Sequence, residues 1–182
     1  MGKFILGLIC GLLVLPVGVW CWFSFGHLPV AVADSPFPFE RQIVHVPLGA
    51  RIEREMPKNA PIQPTPENLL AGAQIYREQC AACHGLSGHP SDFANHMYPR
   101  APQLWAAHRD GSVVGVSDDP VGETWWKVAN GIRLTGMPAF TRVLSETQMW
   151  QVSLLLQQAN QPLPPDVRTL VQTPLPVSAP QQ

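Results

Sequence analysis

The chain has 182 residues with 12 basic and 13 acidic side chains, so its net charge is −1 and it lacks the basic excess that meets nucleic-acid phosphates. Charged residues are only 14% of it, below the roughly 25% of an ordinary soluble domain, while prolines number 20. Low charge beside high proline excludes one uniform globular domain, and four cysteines, at positions 10, 21, 80 and 83, are too few for a disulfide scaffold.

Lys3 is the single charged side chain before Asp34, and from Phe4 to Phe25 Ser24 is the only ordinary polar residue. At about 1.5 Å per residue this helix spans a hydrocarbon core of roughly 30 Å. It is longer than the apolar region of a secretory signal, which favours a retained anchor over residues 1–33. Ala31-Val32-Ala33 before Asp34 offers the competing reading, cleavage after Ala33. Lys3 keeps the N-terminus cytoplasmic, and Trp20, Trp22 and Phe25 suit the far headgroup layer. Both readings send the remainder across the membrane.

Residues 34–65 contain Pro36, Pro38, Pro47, Pro57, Pro61 and Pro64. Proline fixes φ and donates no backbone hydrogen bond, so an extended tether is expected, with a short helical turn at Ala50–Glu55, either holding the next domain off the bilayer or lying along that domain's surface. Residues 161–182 carry six more prolines and little periodicity, and read as a disordered tail with a local contact at Val167–Val171. The organised part is 66–160.

Three helices are punctuated there. Thr65 caps the first with Pro66 at its first position, and it runs through Leu69, Ala73 and Tyr76 towards Cys80. Asp119-Pro120 opens the second, which ends at Asn130-Gly131. Ser145 and Gln148 form a capping box for the third, through Trp150, Val152 and Leu154 to Leu156. No segment alternates long enough for a strand, so the fold class is all-α. The 34 residues from Gly85 to Asp118 make an uncommonly long loop for so small a domain.

Cys80-Ala81-Ala82-Cys83-His84 is C-x-x-C-H. Two thiols three residues apart clamp a haem through thioethers, and the following imidazole reaches the iron. A redox dithiol would want a βαβ context that is missing, and a zinc site would want a second C-x-x-C or a spaced histidine pair. No cysteine follows Cys83, and His89, His96 and His108 are irregularly placed.

With these residues, 66–160 resembles the class I c-type cytochromes, and the whole chain resembles a membrane-anchored bacterial form. Ala71-Gly72 and Tyr76 followed by Cys80–Gly85 are similar to that family's first helix and attachment motif. Ala101-Pro102-Gln103-Leu104 is similar to the segment whose proline carbonyl accepts from the proximal histidine. Asn130–Phe140 with Met137 is similar to the distal-ligand loop, and Leu144–Leu156 to the last helix, with Trp150 packing across the first helix near Gly72. The resemblance implies one haem c held covalently by Cys80 and Cys83. His84 and Met137 would be its iron ligands, with Pro102 orienting His84. Met97 stands only 13 residues beyond His84, and Met149 reads as core. Trp126, or its neighbour Trp125, is expected on the haem edge.

Filled axial positions leave no open metal site for a substrate. The expected function is therefore one-electron transfer between membrane-bound or periplasmic donor and acceptor proteins, not enzymatic turnover, with no small-molecule substrate and no nucleic acid. The expected location is the bacterial inner membrane, single-pass, with the haem domain periplasmic. A fixed subunit of a larger dehydrogenase or oxidase complex is the alternative, and a haem sensor or peroxidase-like enzyme the third reading. Residues 66–160 hold eight acidic and six basic side chains, so strongly positive docking is not expected.

Overall fold

A computed structural model describes residues 1–174. They are helical, with two isolated β-bridges and no strand among them. The chain divides into two compact units, Met1–Ile43 and Val44–Gln182.

The first unit contains α1 (Gly2–Phe25), a helix long and apolar enough to cross a membrane, with every residue exposed in the isolated chain. After it the chain folds into a turn at the Ala31-Val32-Ala33 sequence. The Asp34 carboxylate accepts the N–H groups of Val30 and Ala31, each at 2.8 Å, and these bonds hold Asp34 below the usual aspartate range.

Helix α2 covers Glu40–Glu55, much more than the short turn expected in the tether. Glu40 accepts the N–H of Phe37 at 2.8 Å at its start, and Arg51 and Glu55 pair one turn apart at 3.0 Å near its end. Pro47 removes one hydrogen bond on an exposed helix, and the remaining bonds carry the structure across it.

The second unit is built on α3 (Pro66–Ile75), α5 (Val121–Asn130) and α6 (Glu146–Gln157). The expected punctuation is present. Thr65 accepts the N–H of Asn68 at 3.3 Å. Ser145 and Gln148 make both bonds of a capping box, and Gly131 ends α5 at φ +66. Asp119 does not cap α5; Lys127 draws it sideways to 3.6 Å. Helix α6 crosses α3 at Gly72, where a Cβ would lie 2.3 Å from the Gln151 carbonyl oxygen and 3.2 Å from the Leu155 Cβ. Gln151 and Leu155 are thus the residues nearest to Gly72 across the helices. Trp150 stacks on Trp125 of α5, ring centroids 5.2 Å apart and 19° from parallel. Tyr76, Val152 and Leu155 are wholly buried between these helices.

Residues 161–174 depart from the expected disorder, and the expected local contact at Val167–Val171 is present. Helix α7 (Pro165–Gln172) lays Val167 and Val171 into the same core, both buried. Pro164 and Pro165 start this helix instead of forbidding it, because their missing N–H groups would have no partner there. Arg77 holds the far end, donating to the carbonyls of Leu170 at 3.0 Å, Thr173, and Pro174 at 2.9 Å. The last residues of the expected tail lie outside the described residues.

Candidate functional site

Helix α3 continues into a π-helical turn (Tyr76–Cys80), closed by the N–H of Ala81 bonding to the Tyr76 carbonyl, and then into α4 (Ala81–His84). Such a wide turn shifts every following residue around the helix axis. It sets Cys80 partly buried against the core while Cys83 and His84 follow on a single short helix. Both thiols are free. Burial, with Cys83 nearby, pushes the Cys80 thiol up to about 12, so it stays protonated. Gly85 then turns the chain at φ +70.

His84 Nδ1 lies 2.8 Å from the Pro102 carbonyl oxygen. A carbonyl can only accept, so Nδ1 carries the proton and Nε2 keeps its lone pair. Burial lowers the His84 pKa and thereby favours the neutral ring, with the Pro102 bond acting in the opposite direction. Tyr76 fastens the backbone behind the ring, donating its hydroxyl to the carbonyls of Gly85 at 2.8 Å and His84 at 3.3 Å. Its phenol is raised far above the ordinary range, first by burial and then by Cys80. The N–H of Leu104 also reaches the His84 carbonyl, at 3.2 Å.

Met137 sits in a loop that folds onto itself. Thr135 Oγ1 donates to the Ile132 carbonyl at 2.6 Å and accepts the Met137 N–H at 3.1 Å. Ile132 in turn bonds to the Met137 carbonyl at 3.3 Å, and the Phe140 N–H ties the loop to Val128 of α5. A Cβ on Gly131 would stand within 2.7–2.8 Å of the backbone of Met137, Pro138 and Ala139, so the chain doubles back at that glycine. Met137 and Cys80 both pack on the apolar cluster that includes Tyr76, Leu104, Val128 and Ala129. The Met97 side chain rests on Gly136, where a Cβ would meet its Cε at 2.3 Å. The long loop after the cysteine motif thereby reaches the methionine loop, a contact that chain distance from His84 did not suggest.

Trp126, the residue expected on the haem edge, is buried on α5. Its indole N–H donates to Glu55 of α2 at 3.0 Å, and the Arg51 guanidinium lies 5.9 Å from its ring centre. Trp125 instead packs on the central cluster. Among the described residues, the indole N–H groups of Trp125 and Trp150 are buried without a hydrogen-bond partner. Two free thiols, a neutral imidazole with one nitrogen committed to a carbonyl, and a thioether on a separate loop form a donor set that fits haem c. Among the described residues, no three His, Cys, Asp or Glu side chains gather as an alternative metal site.

The sequence model of the family described as cytochrome c oxidase, cbb3-type, subunit III matches residues 67–154. No curated protein matches the chain. The family match includes α5, most of α3 and α6, the cysteine motif and the methionine loop, and such domains carry covalently bound haem c and transfer electrons. Residues 67–154 of this chain are a class I c-type cytochrome domain.

Proposed function

We propose that this chain is a membrane-anchored carrier of single electrons with one haem c, attached through Cys80 and Cys83 and ligated by His84 and Met137. The observation that carries this reading is the 2.8 Å contact of His84 Nδ1 with Pro102 immediately after a C-x-x-C-H motif, which leaves Nε2 as a free donor. When bound, haem supplies an iron centre that cycles between two oxidation states. His84 and Met137 would be the residues that hold the iron, and the soft thioether would raise the reduction potential. An iron held by both would leave no open site for a substrate, so the chemistry would be outer-sphere.

Helix α1, with Lys3 in its first turn and Trp20, Trp22 and Phe25 near its end, supports a single-pass anchor in a bacterial inner membrane. The N-terminus is cytoplasmic and the haem domain periplasmic in this reading. Anchoring confines the haem near membrane-bound or periplasmic donors and acceptors and raises its effective concentration. The test is haem staining of the denatured full-length protein. Wild type retains covalent haem; Cys80→Ser with Cys83→Ser loses it. Staining that survives both replacements contradicts the attachment.

A second reading, a fixed subunit of a larger oxidase, is favoured by the description of the matching family. Isolation from native membranes in mild detergent separates the two. A carrier purifies without fixed companions, whereas a subunit brings them at constant stoichiometry.

A further inference from the structure

The His84–Pro102 bond needs both partners held, yet His84 ends a helix of four residues and Pro102 is exposed in irregular chain. One side chain brackets both. Gln103 Nε2 donates to the carbonyls of Cys83 at 3.3 Å and Ala101 at 3.2 Å, the residues immediately preceding His84 and Pro102. Its Oε1 accepts the N–H of Ser91 at 2.6 Å, which adds the loop after the cysteine motif. Three segments therefore meet on one amide, and both of its N–H donors are committed. Gly85 makes the room: a Cβ there would lie 2.4 Å from Gln103 Oε1. Ser91 Oγ donates to the Ala82 carbonyl, closing the frame behind the histidine.

We propose that Gln103 is a positioning residue for the axial histidine: its amide fixes the spacing of Cys83-His84 against Ala101-Pro102 and so sets the strength of the Nδ1–H to carbonyl bond. This rests on the reading of His84 as an iron ligand. A well-made bond from Nδ1 gives the ring more anionic character and makes Nε2 a better donor, which favours ferric iron. Loosening it weakens that donation and raises the reduction potential.

The test uses the purified full-length holoprotein and compares wild type with Gln103→Leu, which removes all three bonds, and Gln103→Glu, which keeps only the acceptor for Ser91. Two quantities are read: the midpoint potential, and the exchange rate of the His84 Nδ1 proton among the paramagnetically shifted resonances of the oxidised protein. Gln103→Leu is expected to raise the potential, and both variants to speed that exchange by up to about tenfold, the worth of one ordinary hydrogen bond; the carboxylate of Gln103→Glu itself favours ferric iron, so that variant is read by exchange alone. Lower thermal stability with unchanged potential and exchange overturns the proposal, because a merely structural amide would give that result. If Gln103→Leu does not fold, the Nδ1 proton exchange of Gln103→Glu decides. A wild-type holoprotein without shifted histidine-ring resonances refutes axial ligation by His84 itself, a failure distinct from that of the Gln103 role.

Discussion

The indole N–H of Trp126 and the carboxylate of Glu55 meet at 3.0 Å across 71 positions of sequence. Gly122, one turn earlier on α5, would place a Cβ 1.8 Å from the Pro57 carbonyl oxygen, so the backbone just after α2 lies directly on α5. Ile52 is buried there as well. The chain just before the haem domain, from Ile52 to Pro57, is thus part of that domain's surface.

This contact has a pH dependence of known sign. The Trp126 bond is the main cause holding Glu55 below its ordinary value of 4.5, with Arg51 contributing and burial opposing. A carboxylate lowered on folding stabilises the fold above its ordinary value, and that contribution is lost as pH falls through the lowered folded value. Thermal melts between neutral and acidic pH should show this loss in wild type. In Glu55→Gln, which keeps a neutral acceptor for the indole, that part of the slope should vanish. An unchanged slope would mean the contact does not persist in solution.

Two glycine substitutions should act in opposite directions. Gly72→Ala forces apart the crossing of α3 and α6, since the obstacle is Gln151 backbone, and should destabilise by about 1–3 kcal/mol. Gly49→Ala, in exposed α2 with nothing within 4 Å, should stabilise by up to about 1 kcal/mol. Chemical denaturation of the holoprotein measures both. Equal effects would contradict the helix crossing described.

The anchoring of α7 makes a third prediction. Arg77→Ala removes charge-assisted bonds to carbonyls at the end of that helix and should cost about 1.5–3 kcal/mol. Truncation after Gln161 should cost more, because it also uncovers the sites of Val167 and Val171. Hydrogen exchange should show α7 protected in wild type and exposed in Arg77→Ala. Rapid exchange of α7 in wild type would contradict its docking.

Much of this was legible in the sequence where a local rule governs. Thr65-Pro66, Ser145 with Gln148, and Asn130-Gly131 each encode a helix end within four residues, and those ends are where the structure has them. The His84–Pro102 contact followed from family resemblance rather than from spacing. What escaped were features that depend on distant partners. Proline counts hid α2 and α7, because proline is tolerated at a helix start or on an exposed face once tertiary contacts hold the rest. Trp125 and Trp126 are adjacent on one helix and differ only in what faces them, which periodicity alone does not decide. The bonds of Gln103 carry no sequence signature, since its partners are backbone atoms of three separate segments.

The central claim is axial ligation by His84 and Met137, and Met137→Ala compared with wild type tests it most directly. Optical spectra of the reduced holoproteins are recorded with and without carbon monoxide at neutral pH, together with the midpoint potentials. Wild type should ignore carbon monoxide. Met137→Ala should bind it and show a lower potential, because loss of the thioether opens the site and removes its preference for ferrous iron. Unchanged spectra and potential in Met137→Ala would contradict the account.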